Sequence, residues 1–151
     1  MSIGIYLNGY DGDKLVITMA NNSGGSFSQY DLVQIKAGAD ETMQLIDNAD
    51  GVAGHHVYGV VQEDSSSLTD VVVLLRGKTF VKIASTDTIN TNTPVFSLGS
   101  GDGVVSAAGL TTADIRKAIG INMVAATSPT VGDFATVIFD GLSGFGHFVA
   151  P

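Results

Sequence analysis

Short apolar runs rich in β-branched residues, each closed by a turn signal, constrain the fold of this chain most strongly. The 151 residues include 17 Val and 11 Ile against 10 Leu, and β-branched side chains suit a pleated strand better than a helix. Thirteen of the 15 acidic residues are Asp, which favours turns and caps because its short carboxylate bonds nearby backbone N–H groups. The sequence therefore predicts an all-β protein.

Ten runs are predicted to be strands, with turn-forming residues between them at intervals of roughly 8–12 residues. Asp50-Gly51 is a hairpin signal, and Arg76-Gly77 is predicted to turn one strand into the next. This spacing predicts a small β-barrel or a sandwich of short strands. The predicted strands are residues 14–20, 32–36, 42–46, 57–62, 71–75, 79–84, 94–98, 104–107, 119–125 and 134–139.

The two halves of the chain resemble each other in four blocks, which predicts an internal duplication. The alternative is that β-rich sequences with Gly turns imitate one another. Three blocks lie 61 to 63 residues apart and one lies 52 apart, a difference that an insertion at 110–117 would supply. The aligned blocks are 31–35 with 93–97, 50–52 with 102–104, 57–61 with 118–122, and 69–73 with 132–136.

Residues 111–118 are the only segment in which the sequence predicts a helix. Thr111 or Thr112 would cap it, Asp114 would lie in its first turn, and Arg116-Lys117 in its last, as the helix dipole favours. So short a helix is expected to be a plug or surface turn rather than a recognition element.

Charge and cysteine content exclude several classes of function. The chain carries seven Lys+Arg against 15 Asp+Glu, a net charge of −8, whereas direct nucleic-acid binding needs clustered Lys and Arg. No apolar run is long enough to span a bilayer and no signal peptide is visible, so neither a membrane nor secretion is expected. The absence of Cys excludes disulfides, thiolate zinc sites and cysteine nucleophiles.

No catalytic, cofactor or metal site is expected, and the chain is not expected to be an enzyme. His55 and His56 would point to opposite faces of a strand and have only His147 as a distant companion. The glycine-rich run at 99–103 fits no phosphate-binding motif, and the turn at 47–51 lacks the first ligand of a calcium loop. A small hydrolase that uses the three histidines is the minor alternative.

Both chain ends fall outside the strand pattern, as an N-terminal arm at 1–11 and a Gly/Phe extension at 141–151 around a core domain at 12–140. Apolar and aromatic residues near termini either cover the domain's own core edge or reach onto a neighbouring subunit. We expect an intersubunit or capsid contact in this chain. The candidate contact residues are Ile3, Ile5, Tyr6, Leu7, Tyr10, Leu142, Phe145, Phe148 and Val149.

Short motifs of apolar residues and glycine lie at residues 12–20, 30–35, 51–53, 59–61, 72–78, 81–82, 93–95, 118–121 and 137–139. Together these motifs, over residues 12–140, resemble the capsid decoration proteins of tailed bacteriophages grouped as DUF2190.

The resemblance implies a β-barrel or β-tulip domain that assembles as a homotrimer on the outer surface of the expanded phage head. Such a cement protein bridges neighbouring major capsid subunits and stabilises the head, so the expected location is the virion. The alternative is a β-barrel module that binds a carbohydrate or another ligand on a virion or cell surface. The absence of Trp and the presence of only seven Phe and four Tyr weigh against that alternative, since sugar platforms use exposed aromatic rings.

Overall fold

A computed structural model describes residues 14–21, 24–35, 43–45, 57–97, 103–106, 115–141 and 147–149. Within these ranges there are ten strands and no helix. The strands are β1 (Leu15–Ala20), β2 (Leu32–Ile35), β3 (Met43–Leu45), β4 (Gly59–Val61), β5 (Asp70–Lys82), β6 (Pro94–Ser97), β7 (Val104–Val105), β8 (Ile115–Asn122), β9 (Phe134–Asp140) and β10 (His147–Val149).

All ten strands join in one curled antiparallel sheet, which confirms the predicted all-β class. The strand order is β3-β2-β4-β5-β9-β8-β6-β7, and off this path β1 pairs with β5 and β10 with β8. Each predicted strand that falls in the described ranges overlaps an observed one, because β-branched runs between turns have strong strand preference.

The strand order reads the same from either end, which confirms the predicted duplication. A first unit (β1 to β4 with the first half of β5) corresponds to a second unit (the second half of β5 with β6 to β9). The isolated bridge between Phe27 and Ser65 in the first unit has its counterpart between Ile89 and Ala126 in the second. Equivalent strands therefore share order, direction and register.

The same cross-strand row appears in both units. In the first unit it runs Val16, Leu74, Val60, Leu32 across β1, β5, β4 and β2. In the second unit it runs Lys78, Ile138, Ile121, Pro94 across β5, β9, β8 and β6. We call the first the covered row and the second the open row.

Two blocks of the sequence alignment are wrong. Met43 of β3 pairs with Ile35, and Val104 of β7 pairs with Ser97 at the equivalent place, so Val104 corresponds to Met43 rather than to Val52 and no insertion is needed there. The block that aligns 69–73 with 132–136 is one residue out of register, because Thr18 pairs with Val72 whereas its equivalent Phe80 pairs with Thr136. Asp70 therefore corresponds to Phe134.

β5 is one continuous strand, so the predicted turn at Arg76-Gly77 is wrong. Gly77 has φ 127, a backbone conformation open to glycine, and the strand passes through it without reversing. Residues 70–76 pair with β1, and residues 76–82 pair with β9. The strand continues because each of its halves has a partner, and it belongs to both units.

The predicted helix at 111–118 is also wrong where the structure describes it. Residues from Ile115 onward form β8, whose backbone pairs with β10, β6 and β9. Hydrogen bonds to strands on both sides outweigh a weak local capping signal. Residues 111–114 lie outside the described residues.

Two groups of buried side chains form the core. One lies within the first unit and includes Phe27, Val33 and Val73. The other joins the units, because the four residues of the covered row cluster with second-unit residues such as Val137 and Phe139. The first unit thus buries its covered row, whereas the second unit leaves the equivalent open row partly exposed.

Candidate interaction surface

Four large apolar side chains are exposed together on the second unit. Phe80 is 46%, Phe134 53%, Ile138 45% and Met123 38% exposed. Cross-strand pairing of Phe80 with Thr136, and of Ile138 with Lys78 and Ile121, places these strands' side chains on one face of the sheet. The N–H of Met123 donates to Thr136 O beside them. We call these four residues the aromatic face.

Tyr30 extends this face from the first unit. Its ring centroid lies 5.6 Å from that of Phe80 and 5.3 Å from that of Phe134, with interplanar angles of 71° and 74°. Phe80 and Phe134 also meet at 62°. Edge-to-face packing stabilises a compact cluster, but no two of these rings are coplanar, so they do not form a flat stacking platform for a sugar.

The backbone holds Tyr30 in this place. Tyr30 has φ 71 and its second-unit equivalent, Asn92, has φ 59, a left-handed conformation that is uncommon outside glycine and asparagine. The N–H of Tyr30 donates to Val61 O, as the N–H of Asn92 donates to Asn122 O. The duplicated turn therefore presents an aromatic ring in one unit and a small amide in the other.

An ion pair ties the two units together beside the rings. Lys82 Nζ donates to Asp31 Oδ1 at 2.6 Å, and the backbone N–H of Ser28 donates to Asp31 Oδ2 at 2.7 Å. Asp31 is largely buried and Lys82 is about one-quarter exposed. The pair fixes the Tyr30 turn against the strand that carries Phe80.

Comparison of the two units shows that the fold does not require an apolar surface here. Phe80 is equivalent to Thr18, and Phe134 is equivalent to Asp70. Thr18 and Asp70 are exposed at matching backbone positions, so the same sheet accepts polar residues. Exposed aromatic side chains on the second unit are therefore a property of this surface and not of the fold. Large exposed apolar patches mark contact surfaces.

The candidate contact residues of the chain ends are only partly placed. Ile3, Ile5, Tyr6, Leu7, Tyr10, Leu142 and Phe145 lie outside the described residues. The backbones of Phe148 and Val149 pair with Arg116 and Ile115 in β8, so this part of the C-terminal extension continues the chain's own sheet. Contact of either end with a neighbour stays a prediction.

The described residues bring no metal-binding cluster together: among them, no group of three His, Asp or Glu side chains could hold an ion. His147 lies in β10, and His55 and His56 fall outside the described ranges. In the described part of the chain, no helix is long and apolar enough to cross a membrane.

The sequence did contain a signal for the aromatic face. Along β5, Lys78 and Lys82 flank Phe80 at two-residue spacing, so Phe80 shares their outward face. A large aromatic side chain among the outward-facing polar residues of an alternating strand indicates a surface contact. Its companions, Tyr30 and Phe134, are distant in sequence and are brought close only by strand pairing.

The fold and this face together define a duplicated, single-sheet β domain with a cluster of exposed apolar side chains. Among solved structures it is similar to the head fiber gp8.5 N base of bacteriophage phi29, with a TM-score of 0.50 and 12% sequence identity, over 83% of this chain and 95% of that one. This similarity shows a shared fold. No protein-family model matches the chain and no curated protein is significantly similar in sequence, so the DUF2190 relation stays a resemblance.

Proposed function

We propose that this chain is a structural protein of a bacteriophage head. It decorates the outer surface of the expanded capsid as a homotrimer and cements neighbouring major capsid subunits. The observation that carries the proposal is the fold shared with a phage head fiber base over 83% of this chain. The resemblance of residues 12–140 to phage decoration proteins points in the same direction.

The physical character of the chain supports such a role. A net charge of −8 disfavours adhesion to nucleic acid. A protein that binds its neighbours only when folded gains stability by mass action. The aromatic face and the terminal segments supply apolar surface for those contacts.

Co-sedimentation with phage heads tests the proposal. Purified protein is mixed with expanded heads and, separately, with unexpanded proheads of the phage that encodes it, and bound protein is counted per capsid. We expect saturable binding to expanded heads at a fixed ratio to the major capsid protein. Absence of binding to expanded heads would refute the proposal.

A glycan array tests the alternative of a carbohydrate-binding module. Specific binding that Phe80→Ala abolishes, with folding retained, would favour that alternative over capsid decoration. We expect no specific binding because the three rings meet edge to face.

A further inference from the structure

The open row leaves part of the second unit without the cover that the first unit has. The covered row is almost fully buried, with Val16 at 4% exposure and Leu32, Val60 and Leu74 at 0%. Ile138, the open-row counterpart of Leu74, is 45% exposed, and Phe80 and Phe134 flank Ile138 on the same face. In this chain, a second β unit therefore already covers one sheet face of this geometry, because second-unit residues pack against the covered row.

The charges on this face define the surface that would cover it. Lys78 and Lys82 lie on the same side of β5 as Phe80. Lys82 pairs with Asp31, whereas no carboxylate among the described residues pairs with Lys78. The face thus combines apolar rings with an uncompensated cation, and an acidic surface complements it.

The first unit carries such a surface. Glu63, Asp64 and Asp70 are exposed around the turn that leads into β5, and the Ser65 hydroxyl donates to Asp70 O across that turn. The equivalents of Glu63 and Asp70 in the second unit are Val124 and Phe134. At these two positions the first unit therefore carries carboxylates where the second unit carries apolar side chains.

Contact of the aromatic face with itself is disfavoured. A two-fold contact centred on this face would bring Lys78 close to Lys78 of the second copy, and like charges at close range are repulsive. A contact between unlike surfaces is either reciprocal, with each surface of one copy on the other surface of the second, or head-to-tail, in which case it forms a ring when its rotation closes.

We propose that the aromatic face of one copy docks on the acidic surface of a second copy, formed by Glu63, Asp64 and Asp70. Phe80, Phe134 and Ile138 are buried in this contact, and Lys78 pairs with a carboxylate of the neighbour. The inference rests on the proposed homo-oligomer and deepens it by naming the two surfaces that meet.

Sedimentation equilibrium of the full chain tests the docking surface. We expect wild-type protein to form an oligomer, Phe134→Asp to weaken its association at least tenfold, and Thr86→Asp to leave it unchanged. Thr86 is exposed in a loop, so this control adds the same charge elsewhere. A monomeric wild-type protein, or an oligomer that Phe134→Asp leaves intact, would overturn the proposal. Far-UV circular dichroism verifies that each variant is folded.

A charge exchange identifies the partner surface. Lys78 is exposed, so Lys78→Glu is expected to fold normally and to weaken association. Adding Glu63→Lys and Asp70→Lys to the same chain should restore association, because the pairs re-form with opposite sign. Failure to restore it would exclude the acidic surface as the occupant.

The head-binding experiment separates this inference from the proposed function. A wild-type monomer that still binds expanded heads would overturn the docking surface and leave capsid decoration standing. An oligomer that forms through these two surfaces but never binds expanded heads would support the docking surface and refute capsid decoration.

Discussion

Substitution of Gly59 by Ala should destabilise the fold by overpacking the sheet. Gly59 is buried in β4, and a Cβ built there would overlap Val73 Cγ1 and lie 2.9 Å from Leu74 O. Its second-unit equivalent, Gly120, would place a Cβ 2.7 Å from Ile138 O. Leu74 and Ile138 occupy the same position in the two units, so both glycines allow the same close approach of a neighbouring strand.

The expected cost follows from this crowding. Overpacking a well-packed core costs about 1–3 kcal/mol, and replacing Gly by Ala recovers about 0.4–1 kcal/mol through the unfolded chain. We expect a net loss of about 1.3 kcal/mol, which lowers Tm by about 3–5 °C in a domain of this size. Gly120→Ala should cost at least as much, since the nearest atoms around its Cβ are all backbone and cannot rotate away.

Urea unfolding followed by circular dichroism measures these differences. Gly25→Ala is the matched control because nothing lies within 4 Å of its Cβ, and we expect a change within about 0.5 kcal/mol. Val73→Ala should partly relieve Gly59→Ala, so the double variant should be more stable than the sum of the single changes by about 1 kcal/mol. If Gly59→Ala proves as stable as Gly25→Ala, the packing of β4 on β5 is not as described.

Three further predictions concern the joint between the units and the sheet itself. Lys82→Ala should cost about 2 kcal/mol in urea unfolding because it leaves the buried Asp31 carboxylate without its cation, and adding Asp31→Asn should recover part of that loss. Asn122→Ala should cost about 2–3 kcal/mol, since the fully buried Asn122 donates to three backbone carbonyls; a cost below about 0.5 kcal/mol would contradict it. In calorimetry, Phe139→Ala should cost about 3–5 kcal/mol because Phe139 is fully buried, whereas Phe134→Ala should cost less than about 1 kcal/mol; equal losses would show that the aromatic face is part of the core.

Local pattern predicted most strands and the duplication, because both follow from short-range signals. Alternating or continuous β-branched runs mark β1, β5 and β9, and similar short motifs in the two halves mark equivalent strands. The errors arose where a distant partner decided the structure. Ile115 to Ala118 carry a weak helix signal, yet strands on both sides of β8 hold them extended. At Gly77 the local signal for reversal gave way to pairing of residues 76–82 with β9.

The candidate surface was harder to predict than the fold. Its rings come from Tyr30, Phe80 and Phe134, which meet only after both units have folded. The sequence directed attention to the chain ends because their apolar residues lacked a strand pattern. Inside β5, only the two-residue spacing of Phe80 from Lys78 and Lys82 indicates that its ring lies on the outer face.

Because both units share strand β5, this duplication differs from two separate domains joined by a linker. Because β5 closes the first unit and opens the second, no cut in the chain leaves both units with all their strands. The covered row adds to this dependence, since separating the units would expose it to water. Neither half can melt while the other persists, so unfolding is expected to be a single cooperative transition in a molecule whose architecture is double.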